Sequence, residues 1–234
     1  KIPDDARRLS VTQIETLIRD AYAVYAGRIL KLRPLNPLGR VIDARERGNL
    51  MHDVMEAFTL ATPEWPGRDT ARSILLETAD DVLARQVPQP DLRRVWRARI
   101  TRFADWFVEN EDMRRTDGTP LAPETKGLMT IDLPNGPFQI SAKADRIDRR
   151  LDGYAAIYDY KTGAPPSKDQ IGTFSHQLHL QAAILAAGGF EDIPALHARD
   201  GAYIGLTGTK EGGKETAPED LGSEVPIVMK RVQE

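Results

Sequence analysis

Two adjacent segments, 138–147 and 154–161, constrain the fold most. The first alternates apolar and polar residues as far as Asp145, and the second ends in Asp159-Tyr160-Lys161. Because side chains alternate between the two faces of a β-strand, the pattern predicts two strands, with Asp159 and Lys161 on one face. An Asp-Gly turn signal separates the segments. We therefore predict an antiparallel hairpin in which Asp145 and Asp159 are cross-strand neighbours.

The charged side chains of this hairpin are compatible with two kinds of site. Two close carboxylates repel unless a cation lies between them, and their oxygens suit Mg²⁺ or Mn²⁺. Such an ion polarises a phosphoryl oxygen and acidifies water. Lys161 could orient or deprotonate that water, or stabilise negative charge on phosphorus. The alternative is an ordinary salt bridge between Asp159 and Lys161 on a solvent-exposed face.

The wider sequence contains four motifs in an order that favours the metal site. Asp145 followed by Asp159-Tyr160-Lys161 resembles the signature of the PD-(D/E)XK nuclease superfamily, and the extension to Thr162-Gly163 resembles its RecB-like branch. The segment 48–52 resembles the G-x-x-x-H helix of that branch, and 177–181 resembles its Q-x-x-x-Y helix. This resemblance implies a metal-dependent nuclease.

The same resemblance assigns roles to individual residues. It implies that Mg²⁺ or Mn²⁺ is bound by His52, Asp145, Asp159 and the carbonyl of Tyr160. It also implies that Lys161 positions or activates water and that Gln177 supports the site, so the catalytic set is Asp145, Asp159, Lys161 and Gln177. Gln181 departs from the pattern, because the branch usually has tyrosine there.

The N-terminal part of the chain extends the resemblance to the nuclease domain of AddB, a subunit of AddAB-type helicase-nucleases. Residues 9–15 and Arg19-Asp20-Ala21-Tyr22 are similar to the segment that opens that domain. The resemblance implies a DNA exonuclease in double-strand break repair, acting on strands unwound with an AddA-type partner. Many AddB proteins hold an iron-sulfur cluster through four cysteines, but this chain has none. Since thiolates hold such clusters, we expect no iron-sulfur cluster.

Composition places few further limits on the function. The 234 residues, 41% hydrophobic and 29% charged, indicate a globular protein, and no apolar run approaches a membrane span. The lack of cysteine and of a secretory signal is typical of a cytoplasmic protein. A start at Lys1 suggests a fragment of a larger protein. The net charge of −3 does not exclude DNA, since Lys and Arg are unevenly distributed and five arginines cluster in 93–102. That cluster indicates either a DNA contact or a solvated helix face laced with ion pairs.

The periodicity predicts helices first and then a β-β-β-α-β core. Apolar spacing predicts helices over 12–30, 44–61, 69–85, 91–114 and 167–187, and strands over 126–133, 138–147, 154–161 and 202–206. Pro34 and Pro37 end the first helix. The predicted fold is α/β, with the mixed sheet of a restriction-endonuclease-like core flanked by helices. We expect one nuclease domain over 1–234, with a mainly helical part at 7–115, a catalytic core at 122–206, and a loop with a short strand at 225–229.

Other residues and functions stay open at this stage. We interpret Glu124 as a loop residue, Asp148 as a structural ion-pair partner, and His176 and His179 as surface histidines. Two alternative functions remain. One is a stand-alone RecB-like exonuclease of another DNA-processing system, and the other is a noncatalytic module that binds DNA or a helicase and retains a relic site.

Overall fold

The computed structural model describes residues 7–33, 44–209 and 212–233. Within these ranges the chain forms eight helices and six strands. The order along the chain is β1 (Arg8–Ser10), α1 (Val11–Arg19), α2 (Ala21–Arg28), α3 (Ala44–Ala61), α4 (Arg68–Gln86), α5 (Pro90–Asp117), β2 (Gly118–Leu133), β3 (Gly136–Arg150), β4 (Ala155–Lys161), α6 (Lys168–Thr173), α7 (Gln177–Ala186), β5 (Ala198–Thr209), β6 (Gly212–Thr216) and α8 (Leu221–Gln233).

The strands form one mixed sheet in the order β1-β3-β4-β5-β6, with β2 paired to β3. β2, β3 and β4 are an antiparallel meander, β4 and β5 are parallel, and β6 returns antiparallel to β5. Because β2 covers one edge of β3, β1 and β4 share the other edge, with β1 parallel at Gln139–Ser141. The mixed α/β fold predicted from the sequence is confirmed.

Helices cover both faces of the sheet, so the sheet separates two apolar cores. On one face α3, α4 and α5 pack against inward residues of β4 and β5, among them Tyr160 and Ile204. On the other face α1, α7 and α8 pack against residues such as Ile140 and Ile157. The carboxyl end of β4 therefore lies between two helical layers. Among the described helices, none is both long and apolar enough to cross a membrane.

A buried arginine on the side of the sheet that faces α5 has carboxylate partners for its whole guanidinium group. The side chain of Arg146 is completely buried and donates to both carboxylate oxygens of Asp148, at 2.6 and 2.5 Å. It also donates to Glu111 on α5 at 2.8 Å, and Arg114 and Arg115 approach Glu111 as well. We call these five side chains the arginine network. The interpretation of Asp148 as an ion-pair partner is confirmed, and the network ties β3 to α5.

Two predicted helices are interrupted. The helix predicted over 12–30 divides at Asp20, whose side chain accepts from the Ala23 N–H at 3.1 Å and caps α2. The helix predicted over 167–187 divides into α6 and α7. Ser167 caps α6 in a reciprocal capping box with Gln170. These side-chain caps satisfy the N–H groups of a new helix start and so favour a break. Pro34 and Pro37 lie outside the described residues.

The strand predicted over 225–229 is wrong, because the segment belongs to α8. Leu221, Val225, Val228, Met229 and Val232 recur at helical spacing and pack against the α7 side of the sheet. Their β-branched character suggested a strand, but tertiary packing selects the helix despite Pro226 within it. The loop predicted around 208–224 is also partly ordered, since β5 extends to Thr209 and β6 begins at Gly212.

Candidate metal centre

Three carboxylates form a row across neighbouring strands. Asp145 on β3 is opposite Glu124 on β2, between the pairs Pro123↔Arg146 and Thr125↔Ala144. On the other edge of β3, Arg146 pairs with Tyr158, so Asp159 of β4 lies opposite Asp145 one position further on. All three carboxylates are largely buried. The sheet register thus places three acidic groups side by side.

One hydrogen bond fixes the predicted contact between β3 and β4. The Tyr160 backbone N–H donates to Asp145 Oδ2 at 2.7 Å, which fixes the carboxylate against the next strand. The Tyr160 side chain itself is buried and lies 6.3 Å from the Phe107 ring, measured between centroids. The proposed role of the Tyr160 carbonyl as a metal ligand stays a prediction.

Asp159, Lys161 and Gln177 form a connected cluster. Lys161 Nζ lies 2.6 Å from Asp159 Oδ2 and donates to Gln177 Oε1 at 3.1 Å. Gln177 Nε2 donates to Asp159 Oδ1 at 2.5 Å. The salt bridge considered as the alternative is therefore present. However, Asp159 is only 1% exposed, so the pair belongs to a buried cluster and not to a solvent face.

His52 on α3 completes a set of possible metal ligands. Its Nδ1 atom lies 3.2 Å from both Glu124 Oε1 and Asp145 Oδ1. One ligand atom from each of these three residues lies within 4.8 Å of the other two. Asp159 is not part of this triplet, although its charge acts on Asp145 and His52. The structure therefore brings together His52 and Asp145 as the sequence predicted, and adds Glu124.

Glu124 is the residue that the sequence interpretation set aside as a loop residue. It lies in β2 and not in a loop, with a backbone φ of 52°, which is uncommon for a residue other than glycine. Its carboxylate also forms an ion pair with Lys143 of β3. Backbone strain of this kind is concentrated at functional sites. Because the φ breaks the strand alternation locally, sequence periodicity alone gives no signal for this side chain.

The electrostatics of the centre are set by close, buried carboxylates and by the cations paired with them. Burial, and then the charge of Asp145, raise the pKa of Asp159 to about 7, even though Lys161 opposes the shift. Burial would lower the pKa of His52, but hydrogen bonds with Asp145 and Glu124 raise it to about 10. Protons thus occupy the space between the carboxylates in the metal-free protein. Metal binding to such a site releases protons, since the ligands must be deprotonated.

The donor set fits a divalent cation. Two carboxylates and an imidazole converge, and hard oxygen donors of this type suit Mg²⁺ or Mn²⁺, while the imidazole also suits transition metals. Each ligand comes from a different element, namely α3, β2 and β3. The chemistry of the donors, together with the raised pKa of Asp159, supports a cation site at the carboxyl end of β4.

The helix α7 carries residues that contact the candidate centre and residues that contact neighbouring elements. Gln177 begins the helix, and its backbone N–H donates to Glu15 of α1 at 3.0 Å. Gln181 is fully buried and donates to the Lys143 carbonyl at 3.1 Å, so it supports β3. His176 and His179 are buried, which corrects their interpretation as surface histidines, and His179 Nε2 lies 2.7 Å from Glu224 Oε2 on α8.

Comparisons with known proteins agree with this geometry. The chain is 30% identical over 183 residues to an uncharacterized protein of Rickettsia bellii, covering 78% of this chain and 22% of that protein. It is 29% identical over 192 residues to the uncharacterized protein RC0550 of Rickettsia conorii, covering 80% and 23% respectively. The chain therefore spans less than a quarter of the length of these relatives.

Comparison with solved structures and with families adds two findings. The crystal structure of SSO0001 aligns with 97% of this chain and 75% of that chain, at 13% identity and a TM-score of 0.35. The family described as the PD-(D/E)XK nuclease superfamily matches residues 8–230. Because that match covers nearly the whole chain, including every residue of the candidate metal centre, the protein belongs to the PD-(D/E)XK nuclease superfamily.

Proposed function

We propose that the chain is a metal-dependent DNA exonuclease domain of an AddB-type helicase-nuclease subunit. The observation that carries the proposal is the row of Glu124, Asp145 and Asp159 across three strands, with His52 on one side and Lys161 on the other. Members of the superfamily typically depend on divalent metals, and DNA is the substrate that the superfamily implies.

In this proposal His52, Glu124, Asp145 and Asp159 would hold a divalent cation. A bound cation supplies Lewis acidity, which polarises a phosphoryl oxygen and acidifies water. The carbonyl of Tyr160 adds a further oxygen ligand. Strand pairing fixes the positions of the Glu124 and Asp145 carboxylates and so maintains the geometry of these two ligands.

Lys161 and Gln177 orient the attacking water. Asp159 and Gln177 both contact the Lys161 ammonium, so its direction is fixed before the substrate binds. A preorganised cation near the scissile phosphate stabilises the negative charge that develops on phosphorus. The Glu15 contact with the Gln177 backbone holds the start of α7 against α1, which secures the same geometry.

The principal test is Asp159→Ala, with Asp159→Asn as the conservative variant. We expect both variants to abolish Mg²⁺-dependent degradation of labelled single-stranded DNA while retaining the wild-type circular dichroism spectrum. Asp132→Asn, an exposed aspartate of β2, is the matched control and should retain activity. Retained activity in the Asp159 variants would reject the proposed site. Wild-type protein that binds DNA without degrading it would favour a noncatalytic module with a relic site.

The AddB assignment is supported by the segments 9–15 and 19–22 and by the RecB-like motif order. It implies an AddA-type helicase-nuclease partner, a role in recombinational double-strand break repair, and a place in the bacterial cytoplasm. The much greater length of the Rickettsia relatives is compatible with a nuclease domain inside a larger subunit. Coexpression with an AddA-type subunit should yield a stable complex. An active nuclease that forms no such complex would instead favour the stand-alone exonuclease.

A further inference from the structure

A groove with a volume of about 670 Å³ lies between α4 and α5. Its charged lining consists of Arg93, Arg94 and Arg97 from α5 and Asp80 from α4, with Leu83 and Pro90 at its base. We call this feature the arginine groove. The proposed catalytic residues do not include any of these side chains. The groove contains part of the arginine cluster whose role the sequence left open.

The arginine groove lies at the same end of the molecule as the candidate metal centre. Gln86, at the end of α4, donates to Asp53 at 2.6 Å, and Asp53 is the neighbour of His52 on α3. On α5, Arg99 donates to the carbonyl of Thr162, which follows Lys161. Since a helix rises 1.5 Å per residue, Arg93 lies only about 9 Å along α5 from Arg99. Along the helix axes, the groove therefore lies at the level of the residues that flank the centre.

The charge of this region differs from that of the whole chain. Residues 80–102 contain six arginines and three aspartates, a net charge of +3, whereas the chain carries −3. Positive charge concentrated on one face is the electrostatic feature that attracts phosphate backbones. The overall acidity of the chain hides this local excess.

The arginines of the groove remain available to an anion. Arg93 makes no ion pair with any described residue, and its buried Nε has no hydrogen-bond partner. Arg94 pairs with Asp91 while both side chains are more than three-quarters exposed, and Arg97 pairs with Asp80, which is 54% exposed. Exposed ion pairs contribute little free energy, so a phosphate can replace the aspartate at small cost.

We propose that the arginine groove binds the phosphodiester backbone of the DNA strand adjacent to the bond being cleaved. Guanidinium groups bind phosphate oxygens in a bidentate manner, and Arg93, Arg94 and Arg97 present three of them within about one helical turn of α5. The groove would hold the strand in position while the metal centre acts on it. This inference rests on the proposed nuclease function and specifies how its substrate is held.

The experiment measures binding separately from cleavage. Binding of a fluorescein-labelled oligothymidine is followed by anisotropy in EDTA over a series of NaCl concentrations, for the wild type and for Arg93→Gln, Arg94→Gln, Arg97→Gln and the triple variant. Each lost phosphate contact lowers the slope of log K against log salt by about 0.7, so we expect a decrease of about 2 in the triple variant. Affinity at low salt should also decrease, and it should decrease most in the triple variant.

Arg72→Gln is the matched control. Arg72 is an exposed arginine of α4 that pairs with Asp105 at 2.5 Å, as Arg97 pairs with Asp80, but it lies about 21 Å along the helix from Gln86. Its substitution should leave the salt slope at the wild-type value. Thermal denaturation of each variant verifies that the α4–α5 pair remains folded.

A wild-type slope in Arg93→Gln and in the triple variant would overturn the inference, and would mean that another partner occupies the groove. Degradation of DNA by the wild type in Mg²⁺ is measured on the same oligothymidine. If the wild type degrades it and the groove variants bind normally, only the groove assignment fails. If binding depends on the groove but the wild type does not degrade DNA, the nuclease proposal fails and the groove assignment stands.

Discussion

Two charged clusters on β3 differ in how their carboxylates are paired. Asp145 belongs to the candidate metal centre, and its neighbour Arg146 belongs to the arginine network on the opposite face of the strand. In the network, the two buried carboxylates of Glu111 and Asp148 contact three arginines. In the metal centre, three carboxylates share His52, Lys143 and Lys161.

Two buried carboxylates, one from each cluster, have pKa shifts of opposite sign. Burial would raise the pKa of Glu111, but Arg146, Arg114 and Arg115 lower it to about 2. Asp159 is equally buried, yet its pKa is raised to about 7 by burial and by Asp145. The first cluster is arranged to stabilise the fold. The second contains a carboxylate whose pKa is raised by burial and by a neighbouring carboxylate, and perturbed groups of this kind are typical of functional sites.

The largest effect is expected from Glu111→Gln. Removing this charge takes away the carboxylate that Arg114, Arg115 and Arg146 share, so the free energy of unfolding should decrease by about 3 kcal/mol or more. Urea denaturation measures the change. Glu109→Gln is the matched control on the same helix, because Glu109 is 62% exposed and lies 3.8 Å from Arg68. We expect it to change stability by less than about 0.5 kcal/mol. Equal effects of the two substitutions would contradict the structural role of the network.

Acid should weaken the same network. The pKa of Glu111 is lower in the folded protein than its ordinary value of 4.5, so its stabilising contribution is complete above that value. The contribution is lost as the pH falls towards 2, by about 3 kcal/mol in total. Urea denaturation at a series of pH values measures this loss of stability, and ¹³C NMR follows the titration of the Glu111 carboxyl directly. A carboxyl that titrates near 4.5 would contradict the prediction.

Asp145→Asn should separate metal binding from stability. The asparagine oxygen can still accept the Tyr160 N–H, so we expect the free energy of unfolding to change by less than about 1 kcal/mol. Calorimetric titration with Mn²⁺ should show a loss of affinity of more than about 100-fold.

Asp148→Asn is the matched substitution on the opposite face of the same strand. It should retain Mn²⁺ binding and lose stability, because Arg146 then faces a neutral partner. If both aspartates affected stability and metal affinity alike, the distinction between the two clusters would be wrong.

The smallest effect is expected from Glu124→Gln. An amide oxygen is a weaker ligand than a carboxylate, so Mn²⁺ affinity should decrease by about tenfold. Glu56→Gln is the control, since Glu56 lies near enough to Glu124 for their charges to interact but is outside the ligand triplet. Affinity that is unchanged in Glu124→Gln would restrict the centre to the residues predicted from the sequence.

The sequence predicted the parts of the site that depend on local periodicity. Strand alternation and one turn signal were enough to bring Asp145, Asp159 and Lys161 together. His52 and Gln177 lie on distant helices, so only the motif resemblance could associate them with the hairpin. Glu124 was missed because its position depends on the long-range pairing of β2 with β3, next to a backbone irregularity.

The N-terminal helices show a different limit of sequence reasoning. Tyr22 and Tyr25 lie at the apolar spacing that predicted the helix over 12–30. After the break at Asp20, however, α2 has no buried residue, and Tyr22 is 67% exposed. Periodicity identifies which residues share a helix face, but it does not tell whether another element covers that face.

The adjacency of Asp145 and Arg146 has a consequence for folding fidelity. A shift of β3 by one residue would exchange its two faces, placing the guanidinium in the metal centre and a carboxylate in the apolar core. Such a misfolded form would leave Glu111 without its partner, so it would be strongly disfavoured. The arginine network therefore disfavours this register shift, and in the native register the acidic residues lie on the side of the candidate metal centre.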